Sequence, residues 1–290
     1  MINCRNVLVC VWGNFKKWGK NTRIIVLLLT IAAFGFWDYT SISAYAREIY
    51  GGMTSWVLPF YLRSPSMIMV YCCITAAFFG NAPFADRQMP FTLIRVGRRP
   101  WMIGQFLYIW LAGLVYVMIY LVVSIVFMLP SFDLSNDWGT AVRALAAGDV
   151  MPSSHLVTLG IHEKIVRTFT PIEATVITCF LMWMVAVFMA NLIMVFNLAS
   201  RGTLGIPVTG LLIFLMYFWS YFGQMWFGEY IYWFSPFSWC SMFMVDFWNQ
   251  GIYPPLGYVT AVLLGGSLAM GVISTVIYCK KDVHMAKEEF

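Results

Sequence analysis

Two histidines in the longest polar stretch of this chain, His155 and His162, are the first side chains to test for chemistry. His162 is followed by Glu163, which opens a string of the kind that holds zinc on a helix. The second imidazole would have to stand four residues on, on the same helix face, and that position is Val166. A metalloprotease is excluded, and a solvated pair is the simpler account of the two histidines. No GxxxxGK[ST] phosphate loop occurs: Gly19-Lys20 is followed by Asn21 and lacks the upstream glycine. Any ATP and magnesium would therefore act on another chain, and no cofactor is expected on this one. Glu173, Glu229 and Asp246 fall at or beyond the outer ends of the apolar segments. The segments themselves offer neutral groups such as Thr178, Asn191, Asn197 and Gln224. A pathway without inward carboxylates argues against a self-powered proton-coupled carrier.

Those polar groups have to be positioned by apolar segments, of which there are six: Ile24–Ala44, Ser66–Phe84, Trp101–Leu129, Ile172–Leu198, Leu204–Phe227 and Leu256–Cys279. About 20 helical residues at 1.5 Å rise cross a ~30 Å hydrocarbon layer, and lipid forces each backbone to bond within itself. The chain is 61% hydrophobic and 11% charged with mean hydropathy +0.76, which excludes disordered and fibrous classes. The expected fold is an all-α membrane protein with six transmembrane helices and both termini in the cytosol. In that orientation 13 of the 18 Lys and Arg lie on the cytosolic side, whereas nine of the 13 acidic residues lie outside or at the outer edge. The seven cysteines give no disulfide framework, because only Cys240 falls in an outer segment. Residues 1–23 lack the short apolar run of a cleavable signal peptide.

Residues 1–290 are expected to form one transmembrane domain with four distinctive segments. The first, 1–23, carries Leu8, Val11, Trp12, Phe15 and Trp18 at helical spacing beside Lys16 and Lys17, which suits a helix in the cytosolic membrane interface. The second, 85–100, has Pro90 to start a short helix and Gly97 to end it, with Phe91, Leu93 and Ile94 beside Arg95. The third, 130–171, is polar, and Trp138–Ala147 within it can form a helix. The fourth, 229–255, is dense in Trp, Phe and Met, has no cation and is broken by Pro236 and Pro254-Pro255. It reads as a re-entrant or interfacial hairpin, which needs shielding by protein at membrane depth. Ser200-Arg201-Gly202 makes a tight turn that sets the fourth and fifth segments antiparallel.

Two resemblances emerge from these parts. Pro152-Ser153-Ser154-His155 looks like the middle motif of type-2 phosphatidate phosphatases, and Ser200-Arg201 is faintly similar to their third motif. Pro207 stands where that chemistry needs a histidine, and the expected topology puts the two fragments on opposite faces, which sets this likeness aside. The order of parts resembles the ABC type-2 permease family, the membrane subunits of bacterial exporters. The likeness rests on the amphipathic segment Asn3–Lys20, the basic loop from Asp86-Arg87-Gln88 through Leu93-Ile94-Arg95-Val96-Gly97-Arg98-Arg99-Pro100, the turn Ser200–Gly205, and the aromatic hairpin Glu229–Tyr253 before the last segment. The loop departs from many relatives in that Asp86 is followed by Arg87 and no glycine comes before Gly97.

The resemblance implies a permease subunit in the plasma membrane of a bacterium, paired with a second copy or a similar subunit, with two cytosolic ATPase subunits beneath. Asp86, Arg87, Phe91, Leu93, Ile94, Arg95, Arg98 and Arg99 would couple to the ATPases. Trp12, Phe15, Lys16, Lys17 and Trp18 would seat the interfacial helix. Trp233, Phe234, Phe237, Trp239, Phe243 and Phe247 would form an outer gate, and Asn191, Asn197 and Gln224 the polar points of the pathway. A neutral, aromatic and Met-rich surface suits a hydrophobic or amphipathic cargo such as a peptide, lipid or drug. The alternatives are a lipid-modifying enzyme built on His155 and His162, or an immunity factor that sequesters a membrane-active peptide without turnover.

Overall fold

The computed structural model describes residues 4–48, 54–85, 89–128, 135–147, 161–200 and 202–280. Within them every regular element is helical, and the one extended pairing is a bridge between Asp246 and Pro255. The helices are α1 (Cys4–Lys16), α2 (Thr22–Glu48), α3 (Leu58–Tyr61), α4 (Pro65–Phe79), α5 (Met89–Val96) and α6 (Arg98–Met128). They continue as α7 (Gly139–Ala147), α8 (Glu163–Thr168), α9 (Pro171–Ser200), α10 (Gly205–Phe218), α11 (Gln224–Phe227) and α12 (Leu256–Lys280). A π-helical turn, Trp219–Gly223, joins α10 to α11.

Among the described residues five helices are long and apolar enough to cross a membrane: α2, α6, α9, α10 with its π-helical turn, and α12. They make the chain a multi-pass all-α membrane protein. Their outward faces are apolar, as at Leu29, Trp37, Val122, Leu211, Phe214 and Val272. Patches of this extent meet lipid rather than water. The sixth apolar segment is shorter than the sequence suggests. α4 has 15 residues, about 22 Å of helix. It stops at Phe79, five residues before the expected end, and Asn81 and Pro83 follow in turns. Ser64 caps its start by accepting the Met67 N–H at 3.2 Å, and Pro65 stands at the first helical position.

α9 is the mast of the bundle, with 16 buried residues. α12 packs against both α9 and α6, burying Val259, Leu263, Ser267, Gly271, Ser274 and Tyr278. Gly271 meets Phe106 and Tyr278 stacks on Trp101, both of α6, and the small members of the stripe allow close approach. α4 lies against α9, α10 and α2. Its Tyr71 donates to the Met182 carbonyl of α9 at 2.7 Å, and Thr75 donates to Tyr116 of α6 at 3.1 Å. Tyr39, Tyr61, Tyr120, Tyr71 and Tyr116 follow one another at ring separations of 5.8, 6.0, 5.5 and 5.9 Å.

Asp38 corrects the expectation of charge-free segments. It is not at an outer edge but 2% exposed inside α2, next to Tyr39 in sequence and packed at the end of this tyrosine column. Its Oδ2 and the hydroxyls of Tyr39 and Tyr61 are buried without hydrogen-bond partners, so the site carries a desolvation cost.

Candidate functional site

At one end of the bundle, α5 forms where Pro90 and Gly97 predict it. Gly97 has φ +87° and its N–H donates to the Leu93 carbonyl at 2.9 Å, which closes the helix in the left-handed conformation a glycine adopts without strain. Met89, Leu93 and Val96 pack on the core, whereas Phe91 is 69% and Ile94 83% exposed. Arg95 and Arg99 are exposed beside them. The helix therefore rests on the core by one half-buried face while its other face offers two large apolar side chains and cations. Of the expected coupling residues, Asp86 and Arg87 lie outside the described residues.

α1 supports α5 from a different direction than the sequence suggests. Val7, Cys10, Val11 and Asn14 are its buried residues, set against α6. Asn14 Nδ2 donates to Gln105 Oε1 at 2.8 Å, and Trp18 Nε1 donates to the Tyr108 hydroxyl at 2.8 Å. The two backbones meet at Gly104, where a Cβ would stand 2.8 Å from that of Cys10. Phe15 and Trp18 pack inward, but Leu8 and Trp12 are 58% and 63% exposed. The helix has apolar residues nearly all round, so periodicity alone could not choose the face that meets protein.

The α9–α10 turn is also tied to this end. Asn197 Nδ2 donates to the Gly80 and Ala82 carbonyls at 3.1 and 2.7 Å, and its Oδ1 accepts the Gly205 N–H at 2.8 Å. Gly205 fits only as glycine, since a Cβ would meet the Ile193 carbonyl oxygen at 2.5 Å. Asn197 is thus a clamp that fastens three chain segments. Asn191 is fully buried and donates to its own helix at Val187 O, 2.8 Å. Neither asparagine lines either of the two cavities described below, and the Gln224 side chain lies outside the described set.

At the opposite end, residues 228–244 form three 3-10 turns, and 245–255 return through bends to the Asp246–Pro255 bridge. Trp239 is 1% exposed and donates through Nε1 to the Tyr232 carbonyl at 2.7 Å. Phe237, also buried, meets Phe188 at 6.5 Å, and its carbonyl lies 3.9 Å from Cys72 Sγ. Phe188 stands 17 residues along α9, roughly 25 Å from its start, so the segment re-enters deep alongside the mast and is shielded by α4 and α9. Asp246 closes the hairpin, accepting the Trp248 and Gly251 N–H groups at 2.8 Å each. Of the other expected gate residues, Trp233 donates to the Ile252 carbonyl, Phe243 and Phe247 are half-buried, and Phe234 is 80% exposed.

Two cavities flank this re-entrant segment. One, of about 190 Å³, lies between α9, α10 and Phe234–Phe237 and is lined by Phe188, Leu192, Leu212, Met216 and Trp219 with no charged group. The other, of about 240 Å³, lies between α8, Arg63 and residues 242–253. His162 lines it, and its Nδ1 accepts the Lys164 N–H at 3.3 Å. Partial burial, then Arg63 and Lys164, push the His162 imidazole below its ordinary pKa, so it is neutral at pH 7. No group of three or more His, Cys, Asp or Glu is gathered for a metal among the described residues. His155 and the neighbouring Pro152-Ser153-Ser154 lie outside them, as does Arg201. Sequence patterns miss Asp38 because a single acid in a long apolar run scarcely changes its hydropathy, and miss Arg63 because its partners come from segments 100 and 180 residues away. Comparison of the chain with family profiles, curated proteins and solved structures finds no match, and its function has to be argued from these sites.

Proposed function

We propose that this chain is the membrane subunit of an ATP-binding-cassette exporter for hydrophobic or amphipathic cargo, powered by a separate ATPase that docks on α5. The observation that carries the reading is the outward face of α5. Phe91 and Ile94 are exposed while Leu93 and Met89, half-buried, pack the same helix against the core. A rigid helix with an uncovered apolar pair and adjacent arginines is suited to an acidic, grooved protein partner, and it can transmit a push. Burying one such side chain contributes about 1.5–3 kcal/mol, enough for the pair to anchor a dock. In this reading α4 is a short sixth pass and α5 is cytosolic, an orientation that the lysine and arginine distribution supports.

The apolar cavity beside Phe237, about 190 Å³ with no charge in its lining, suits one apolar end of such a cargo. The test is co-purification of a nucleotide-hydrolysing subunit with the wild-type chain and with Phe91→Ser/Ile94→Ser. The double variant should fold normally and lose the subunit. Retention of the subunit by the variant, or a wild-type chain that purifies alone and moves no cargo, overturns the reading.

A further inference from the structure

The cavity at the α8 end combines a charged rim with an apolar floor. Arg63 comes from the α3–α4 connection, Lys164 from α8, and His162 from the residue that caps α8. Phe243 and Met244 supply the floor from the re-entrant segment, and the His162 ring stands 6.1 Å from that of Phe243. The carboxylates nearby are already engaged. Glu163 pairs with Arg167, and both oxygens of Asp246 accept backbone N–H groups. Among the described residues no ion pair joins an acid to Arg63 or Lys164. Two cations therefore converge on a recess whose one carboxylate is turned into a structural cap.

We propose that this cavity binds the anionic end of an amphiphile, a carboxylate or phosphate held by Arg63 and Lys164 with the adjoining apolar chain on Phe243 and Met244. Its volume, about 240 Å³, is below the ~300–1,000 Å³ of pockets that enclose a whole drug-sized ligand. It accommodates one end of such a molecule, with the remainder leaving along the aromatic surface. Arginine favours the planar, two-oxygen geometry of both anions. His162 adds a neutral donor. Its Nδ1 is occupied by the Lys164 N–H, which leaves Nε2 for the ligand. The groups facing it are Arg63, Lys164, Glu163 and Asp246, and a bound anion offsets the first two. The anion could come from a free amphiphile or from a bilayer lipid. The proposal stands apart from the transport reading, because it needs no ATPase.

The test uses the full chain in phosphatidylcholine nanodiscs, radiolabelled decanoate as the probe, and subtraction of empty discs. Saturable binding is expected, displaced by decyl phosphate and not by decyltrimethylammonium. Arg63→Gln/Lys164→Gln should weaken it at least tenfold, about 1.4 kcal/mol, while thermal unfolding is unchanged. Should that variant fail to fold, the competition by the two wild-type ligands still decides. Binding that is lost when phosphatidylglycerol enters the discs assigns the site to lipid, and binding that persists assigns it to free amphiphile. Absence of saturable binding, equal displacement by the cationic amphiphile, or a folded double variant with unchanged affinity overturns the proposal.

Discussion

Replacing Asn197 with alanine tests how the α9–α10 turn is held to the rest of the bundle. The side chain makes three hydrogen bonds, to Gly80 O, Ala82 O and Gly205 N, and is 8% exposed. A buried hydrogen bond contributes about 0.5–1.5 kcal/mol net in water-soluble proteins and averages about 0.6 between membrane helices. Three such bonds give about 2–4 kcal/mol. The upper end applies here, because the variant takes away the partner of the buried Gly205 N–H. Asn191→Ala is the internal control. That side chain is equally buried but makes one bond, to its own helix at Val187, and its Oδ1 is already without a partner. It should cost about 1 kcal/mol or less. Equilibrium unfolding in mixed micelles, followed by circular dichroism, separates the two. An Asn197→Ala penalty no larger than that of Asn191→Ala would refute the clamp.

Other consequences follow from individual contacts. Asp246→Ala removes two charge-assisted bonds and should open the hairpin by about 3 kcal/mol, read as faster hydrogen exchange over 228–255 than over α9; unchanged exchange would contradict the cap. Gly104→Val puts atoms where α1 lies, 2.8 Å from the Cys10 Cβ at the first added carbon, so exchange protection of α1 should fall while that of α9 stays. Tyr71→Phe loses the bond to Met182 O and should cost about 1 kcal/mol in the same unfolding assay, with no loss taken as evidence against that contact. Ile94→Cys should react with a membrane-impermeant maleimide in inside-out vesicles and not in intact cells, since the side chain is 83% exposed; the reverse pattern would place α5 outside.

Much of the fold was legible because long apolar runs and glycine and proline punctuation act locally. Thr22–Glu48, Arg98–Met128, Pro171–Ser200 and Leu256–Lys280 match the expected segments to within a few residues, and α5 starts and stops at Pro90 and Gly97. α7 occupies Gly139–Ala147, within the stretch expected to be helical. What was not legible depends on partners distant in sequence. The inward face of α1 is chosen by Gly104 and Gln105, about 90 residues away. Asn197 reads as a pathway group until Gly80 and Ala82 arrive to consume its amide. Asp38 reads as an edge residue until Tyr39 and Tyr61 enclose it. The charged recess of Arg63, His162 and Lys164 exists only because the re-entrant segment supplies its floor.

The central claim is that α5 presents Phe91 and Ile94 to a separate ATP-hydrolysing protein. A photo-crosslinking amino acid at position 94, activated in living cells, addresses it directly, because that side chain faces away from its own chain. The account predicts a covalent adduct with a nucleotide-binding subunit, absent when the crosslinker sits instead at buried Val187. Adducts with lipid alone, or none, would leave the helix without a motor to receive and contradict the assignment.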